Sequence, residues 1–343
     1  MASDAGDGGR AVTVTLLGPQ RRPRIDSVVR ALGLDGPFAT VTAGWQEREA
    51  EDGELDSLLG GRSRNLHLYR RWNDVMDRDP EFAAANNRRR QLLAELAALY
   101  LIRLDHAADA VFALLHRGGP PEVLDPVVAE AEQAVRDLDA AHCARMDEIQ
   151  AEFYVRYPPH QRTAITAHRA EIAAALSASA AFVMAGGHVG VLSDVLHLFN
   201  LAPVLDMPII SWSAGAMALT ERIVLFHDRS ARGPASAEVY DAGLGFVRGV
   251  VALPAAHRRL EMDNQIRMGL FARRFAPAQC LVLEAGDRVD LSPDGTLPRG
   301  APVVSVQGLM AQTAGPAAGV TTGSVARAPA DGTDTPDASG VPS

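Results

Sequence analysis

The chain has 343 residues, 47% of them hydrophobic, with a formal net charge of −9. That length supports one large core or two domains, and the acidic balance argues against a general nucleic-acid binder, which carries a basic surface. Every one of the 33 Lys+Arg positions is arginine, which excludes a Ser–Lys dyad or a Schiff-base lysine within this chain. The two cysteines, Cys143 and Cys280, are far apart and lack metal-type spacing, so no disulfide framework is expected. The first ten residues lack an apolar h-region and no apolar run reaches membrane-spanning length; the expectation is a soluble cytoplasmic protein.

In chain order, residues 1–10 are Gly-rich and acidic and are expected to be disordered. Residues 11–17 read as a strand, 25–32 as a short helix stopped by Gly33, and 38–43 as a second strand. A strand–helix–strand opening predicts a mostly parallel sheet flanked by helices. The polar loop at 47–54 would then lie at the carboxyl edge, where open α/β sheets bind ligands. Residues 66–69 read as a further short strand. From 80 to 157 the pattern becomes helical, interrupted at Pro120-Pro121. Leu124, Val128, Ala131, Val135 and Leu138 form a heptad-like seam that continues to Met146, Ile149 and Phe153, predicting a long antiparallel helical hairpin inserted into the α/β domain. The seam is expected to pack the two helices together, with oligomerisation as the other role.

Beyond the insertion, residues 162–177 predict a helix, 181–185 a strand ended by Gly186-Gly187, and 189–199 a helix. Residues 208–210 form a short apolar strand; Ser213-Ala214-Gly215-Ala216 is too small and polar to continue it, and 217–225 has helical character. Strand-like 243–253, a helix at 264–275, a strand at 280–284 and late strands at 288–291 and 302–306 complete the α/β domain, 11–312. Residues 313–343 are Ala/Gly/Thr/Pro/Asp-rich and are expected to be a disordered tail.

Strand, tight turn of small residues and helix is the layout of a nucleophile elbow, with Ser213 as candidate nucleophile. A serine hydroxyl needs a base, and the base an orienting acid. His257, just past a strand-like run and a proline, is the candidate base and Asp228 its orienter; His227 is the alternative base. The first oxyanion donor would be the N–H of Ala214, and Gly187 of the Gly-Gly turn would bring the second.

This combination resembles the serine hydrolases related to peptidase E (aspartyl dipeptidase) and cyanophycinase. Trp212-Ser-Ala-Gly-Ala216 is similar to the family's elbow, Phe182-Val-Met-Ala-Gly-Gly187 to its strand and Gly-Gly turn, Leu253-Pro-Ala-Ala-His257 to its histidine segment, and Leu281-Val-Leu-Glu-Ala-Gly286 to its strand with an acidic turn. The resemblance covers about 181–291 and implies a class I glutamine amidotransferase-like fold, a flavodoxin-like sandwich. It implies amide hydrolysis by a Ser213, His257 and Asp228 triad with no metal or other cofactor. Gly186, His188, Trp212 and Glu284 are then the expected substrate-binding residues. His188 stands where the family has asparagine, and the histidine segment has an extra residue and Arg258 after it, so the family's acidic preference does not carry over. Ser213 in place of an elbow cysteine argues against glutaminase chemistry. The expected partners are a small peptide or amino-acid-derived substrate and a second copy in a homodimer, with no nucleic acid and no membrane. The alternative expectation is a non-catalytic scaffold that assembles through the helical insertion.

Overall fold

The computed structural model describes residues 12–20, 24–228 and 236–314. The segments expected to be disordered, 1–10 and the tail beyond 314, lie outside the described residues. Thr313, assigned to the tail from composition, is buried, and its N–H donates to the Ala301 carbonyl at 3.0 Å.

The chain opens with β1 (Val14–Leu17), α1 (Ile25–Ala31), β2 (Phe38–Val41), α2 (Gly53–Leu58) and β3 (Ser63–Asn65). Next come α3 (Leu68–Arg78), α4 (Pro80–Arg117), α5 (Pro121–Arg156), α6 (Thr163–Ser177), β4 (Ala181–Met184), α7 (Val189–Leu198), β5 (Ile209–Trp212) and α8 (Ala214–Ala218). The remainder is β6 (Arg222–Leu225), β7 (Glu238–Ala242), β8 (Val250–Pro254), α9 (Ala256–Arg259), α10 (Gln265–Phe275), β9 (Gln279–Leu283), β10 (Arg288–Asp290), β11 (Pro302–Val304) and β12 (Met310–Gln312).

The main sheet has the order β10-β1-β5-β4-β2-β3, with every pair parallel except β1 with β10. β1, β2, β4 and β5 are buried along their whole length, as strands covered on both faces must be, which is why they read as apolar runs without alternation. The apolar residues divide between two faces: Leu16, Phe182 and Ile209 belong to one core cluster, Leu17, Val183 and Ile210 to another. A second sheet, β12-β11-β9-β8, contains the parallel pair β8 with β9, and β6 pairs with β7. The chain is therefore α/β, with a mostly parallel sheet flanked by helices and a long helical region.

Three sequence expectations are corrected. Residues 66–69 are not a strand: β3 is the polar Ser63–Asn65, paired at the sheet edge with β2, and Leu68 already begins α3. The elbow helix stops at Ala218, because the Thr220 hydroxyl lies 2.7 Å from both the Met217 and Arg222 carbonyls and Ile223 and Val224 enter β6. The strand expected from 243 begins only at Val250, since Gly245 and Gly249 take positive φ angles of 72° and 61°.

The Asp79 carboxylate caps α4 by accepting from Phe82 N–H at 3.0 Å, and Pro121 opens α5. The two helices pack along each other. The buried face of α5 differs from an apolar seam, because Glu132, Asp139 and His142 are buried beside Val135 and Met146. For Glu132 and Asp139 the cause is α10 on the other flank, where Arg273 donates to Glu132 at 2.7 Å and Arg274 to Asp139 at 2.7 and 2.8 Å, while His142 stacks on Tyr100 of α4. Among the described residues, no helix is long and apolar enough to cross a membrane.

Candidate active site at the carboxyl edge of the sheet

Ser213 follows the last residue of β5 and precedes α8, with φ 52° and ψ −123°. A side chain with a Cβ avoids that region unless its surroundings impose it, and such strain gathers at functional positions. Here small residues impose it. A Cβ on Gly186 would lie 2.7 Å from the Ser213 Cβ, and one on Gly215 would lie 2.4 Å from the Ser211 hydroxyl. The sequence Trp-Ser-Ala-Gly-Ala is thus a packing requirement: the turn closes only where its neighbours lack side chains.

The end of β1 lies beside this elbow, and the ends of β8 and β9, from the second sheet, approach it through β1 and α8. β1 lies beside β5, with Leu17 opposite Trp212, so Gly18 and Ser213 leave the sheet at the same level. Gly18 abuts the Glu284 backbone just past β9. β8 pairs with β9 up to Pro254 opposite Leu283, so His257 and Glu284 emerge side by side. The Glu284 carboxylate accepts from the His257 backbone N–H at 2.9 Å and lies 2.9 Å from its Nδ1. A carboxylate at that distance selects the Nδ1–H tautomer and leaves Nε2 as the basic nitrogen. Among the described residues, neither Ser213 Oγ nor His257 Nε2 has a hydrogen-bond partner within the protein, and His257 is exposed; both stay accessible to a substrate.

The carboxylate beside His257 is therefore that of Glu284, and the structure does not bring the expected orienter, Asp228, to it. The Asp228 carboxylate is buried and is taken by Arg267 at 2.7 Å and Glu261 N–H at 3.2 Å, while its own N–H donates to the Arg259 carbonyl. The alternative base, His227, has no carboxylate partner among the described residues, and burial together with the Arg259 charge holds it below its ordinary range. Trp212, expected to bind substrate, is buried with Ile210, Val183 and Ala185 in the apolar cluster beneath the elbow and supports the turn from below.

The Gly186-Gly187 turn stands over the elbow. Gly187 has φ +130°, and a Cβ there would lie 2.3 Å from the Gly44 carbonyl oxygen, which in turn accepts from His188 N–H at 2.7 Å. The Ala214 N–H starts a short helix and so lacks an intrahelical acceptor. His188 caps α7, accepting from Val191 N–H at its Nδ1 at 3.2 Å. Beside it, a cavity of about 210 Å³ is lined by His188, Gly190, Arg90, Glu238, Tyr240 and Asp241. Burial pushes the Glu238 carboxyl above its ordinary range and the Tyr240 hydroxyl up to about 12.

Sequence reasoning missed Gly18, Gly44 and Gln46. Gln46 takes φ 59° and ψ −122°, nearly the Ser213 conformation, on the loop after β2. That loop is locked: the Glu49 carboxylate accepts from Tyr69 and Arg70 N–H at 2.9 and 3.0 Å, and the Asn65 amide donates to Thr42 Oγ1 and the Glu49 carbonyl. The signal available was Gly44 directly after a strand; the strain at Gln46 has no sequence signature. Neither cysteine competes as a nucleophile at this edge. Cys280 is in β9, and its burial pushes the thiol up to about 12.

No protein-family model matches the chain, and no curated protein matches it. Among solved structures, the chain is similar to a peptidase from an acI-B1 Actinobacterium at 13% identity, over 89% of this chain and 95% of that chain, with a TM-score of 0.39.

Proposed function

We propose that the chain is a serine-type amide hydrolase of the peptidase E kind, on a class I glutamine amidotransferase-like fold, acting on a small peptide or modified amino acid. The observation that carries this reading is Ser213 held at φ 52° between strand and helix, with a His257–Glu284 pair at the strand ends of the second sheet, whose Glu284 backbone abuts Gly18 beside the elbow strand. Ser213 Oγ attacks the substrate carbonyl while His257 Nε2 takes its proton. Glu284 holds the imidazole in the required tautomer and stabilises the imidazolium. The N–H groups of Ala214 and Gly187 receive the oxyanion, each such donor being worth about 3–4 kcal/mol in the transition state. His257 returns the proton to the leaving amine. Water, deprotonated by the same imidazole, then releases the acid and restores Ser213. The cavity beside His188 and Tyr240 receives part of the substrate next to the oxyanion loop.

The test is labelling with a fluorophosphonate, which reports an activated serine without knowledge of the substrate. Wild type should label, and Ser213→Ala and His257→Ala should not. Undiminished labelling of folded Ser213→Ala would overturn the assignment.

A further inference from the structure

The inserted hairpin buries one flank of α4 and leaves another bare. Tyr100, Leu104, Ala108 and Val111 face inward, whereas Leu92, Leu99 and Ile102 are 39%, 53% and 59% exposed. With Glu95, Leu96, Arg103 and His106 these exposed residues recur at steps of three and four along the helix, so they form one stripe. A groove of about 310 Å³ runs between α4 and α5 along the stripe, lined by Leu96, Leu99, Ile102, Leu138 and Arg145. An apolar ridge beside a groove is the surface of a helix that packs knobs into holes on another helix.

The charges on the stripe select the partner. Glu95 and Arg103 are exposed, and neither makes an ion pair among the described residues. They stand four residues either side of Leu99. A two-fold axis through Leu99 therefore sets Glu95 of one copy on Arg103 of the other, twice. The same axis sets Leu96 on Ile102 and Leu92 on His106. Parallel, in-register pairing would instead put Glu95 on Glu95 and Arg103 on Arg103. The stripe is complementary to itself in the antiparallel sense only, which is the requirement of an isologous interface.

We propose that the α4 stripe centred on Leu99 is a homodimer interface in which the hairpins of two copies pair antiparallel. The apolar layers at Leu92, Leu96, Leu99 and Ile102 supply the burial, and the two Glu95–Arg103 pairs fix the register. This surface is on the insertion and does not depend on the hydrolase reading.

The full-length chain is examined by light scattering coupled to gel filtration and by sedimentation at micromolar concentration. Wild type should be a dimer. Leu99→Glu should be a monomer with an unchanged circular dichroism spectrum. Glu95→Arg and Arg103→Glu, both on exposed positions that leave folding intact, should each weaken the dimer about tenfold, since each reverses two attractive contacts. The double exchange, Glu95→Arg with Arg103→Glu, should restore it. A monomeric wild type, a dimer indifferent to Leu99→Glu, or a double exchange as weak as the single ones would overturn the proposal.

Discussion

Gly18 lies so close to the carbonyl of Glu284 that a Cβ on it would sit 1.6 Å from that oxygen. The contact is reinforced on both sides. Gly18 N–H donates to the Asp287 carbonyl at 3.0 Å, and the Asp287 carboxylate accepts from Glu284 N–H at 2.7 Å. The turn carrying Glu284 is thereby clasped to the end of β1, the neighbour of the strand that carries Ser213. Backbone cannot swing aside as a flexible side chain can, so Gly18→Ala must move the Glu284 turn. With displacements of the order of 1 Å costing about 100-fold in rate, fluorophosphonate labelling should fall by roughly 10- to 100-fold in a chain that still folds. Unchanged labelling with an unchanged thermal transition would show that the clasp does not set the geometry.

Glu284 and Asp228 should separate cleanly on mutation. Glu284→Gln removes the charge that stabilises the imidazolium and permits the wrong histidine tautomer; in a serine–histidine–aspartate enzyme the corresponding change costs about 10⁴-fold. A loss of labelling of roughly 10²- to 10⁴-fold with little change in stability is expected. Asp228→Asn instead removes one charged partner of Arg267, a buried carboxylate that also accepts from Glu261 N–H. Breaking a buried pair from one side costs about 3 kcal/mol or more, so this variant should melt earlier yet label normally while folded. The reverse pattern would return the acid role to Asp228.

How much of this was legible depended on whether the signal was local. Ser213, Ala214 and Gly186 were readable because a strained turn admits only small residues in sequence order. The pairing of His257 was not, because spacing along the chain does not say which strand ends become neighbours. Asp228 follows the elbow at the distance the resemblance suggested, but the chain between them turns through β6 and seals the carboxylate behind α10. Glu284 was noticed only as an acidic turn. Its place beside His257 follows from β8 and β9 being parallel partners, a tertiary fact. Likewise β3, Ser-Arg-Asn, has no apolar pattern and exists because β2 offers it a ladder. The long helices were read from periodicity, but not the buried carboxylates of α5, Glu132 and Asp139, to which α10 brings arginines.

Those carboxylates fasten the hairpin to the α/β body. The Arg274 guanidinium donates to Asp139 at 2.7 and 2.8 Å, to the Tyr100 hydroxyl at 2.9 Å and to the Ala237 carbonyl at 2.6 Å, and both charged side chains are almost fully buried. Asp139→Asn should therefore destabilise the fold by about 3–5 kcal/mol, the usual cost of stranding one member of a buried pair, seen as a lower urea midpoint. Replacing Tyr100, Asp139 and Arg274 together with apolar residues of similar volume should recover much of that loss. A single-mutant loss below about 1 kcal/mol would mean water reaches the pair.

His142 gives the fold a pH dependence of its own. It is 4% exposed, its ring stacks on Tyr100 at 4.0 Å with an interplanar angle of 5°, and among the described residues both ring nitrogens lack hydrogen-bond partners. Burial holds its pKa below the ordinary histidine value. The unfolded chain takes up this proton near pH 6.5, whereas the folded chain resists it until lower pH. Between those points the unfolded state binds more protons, so stability is full above about pH 6.5 and declines as the pH falls. His142→Phe keeps the stack, removes two unsatisfied polar atoms and abolishes this proton uptake. The variant should be at least as stable as wild type at pH 8 and gain relative to it as the pH is lowered from about 6.5 to 5. Thermal melts of both proteins across that range measure the difference directly. Parallel curves would mean that His142 takes up its proton equally in the folded chain, and that its nitrogens reach solvent.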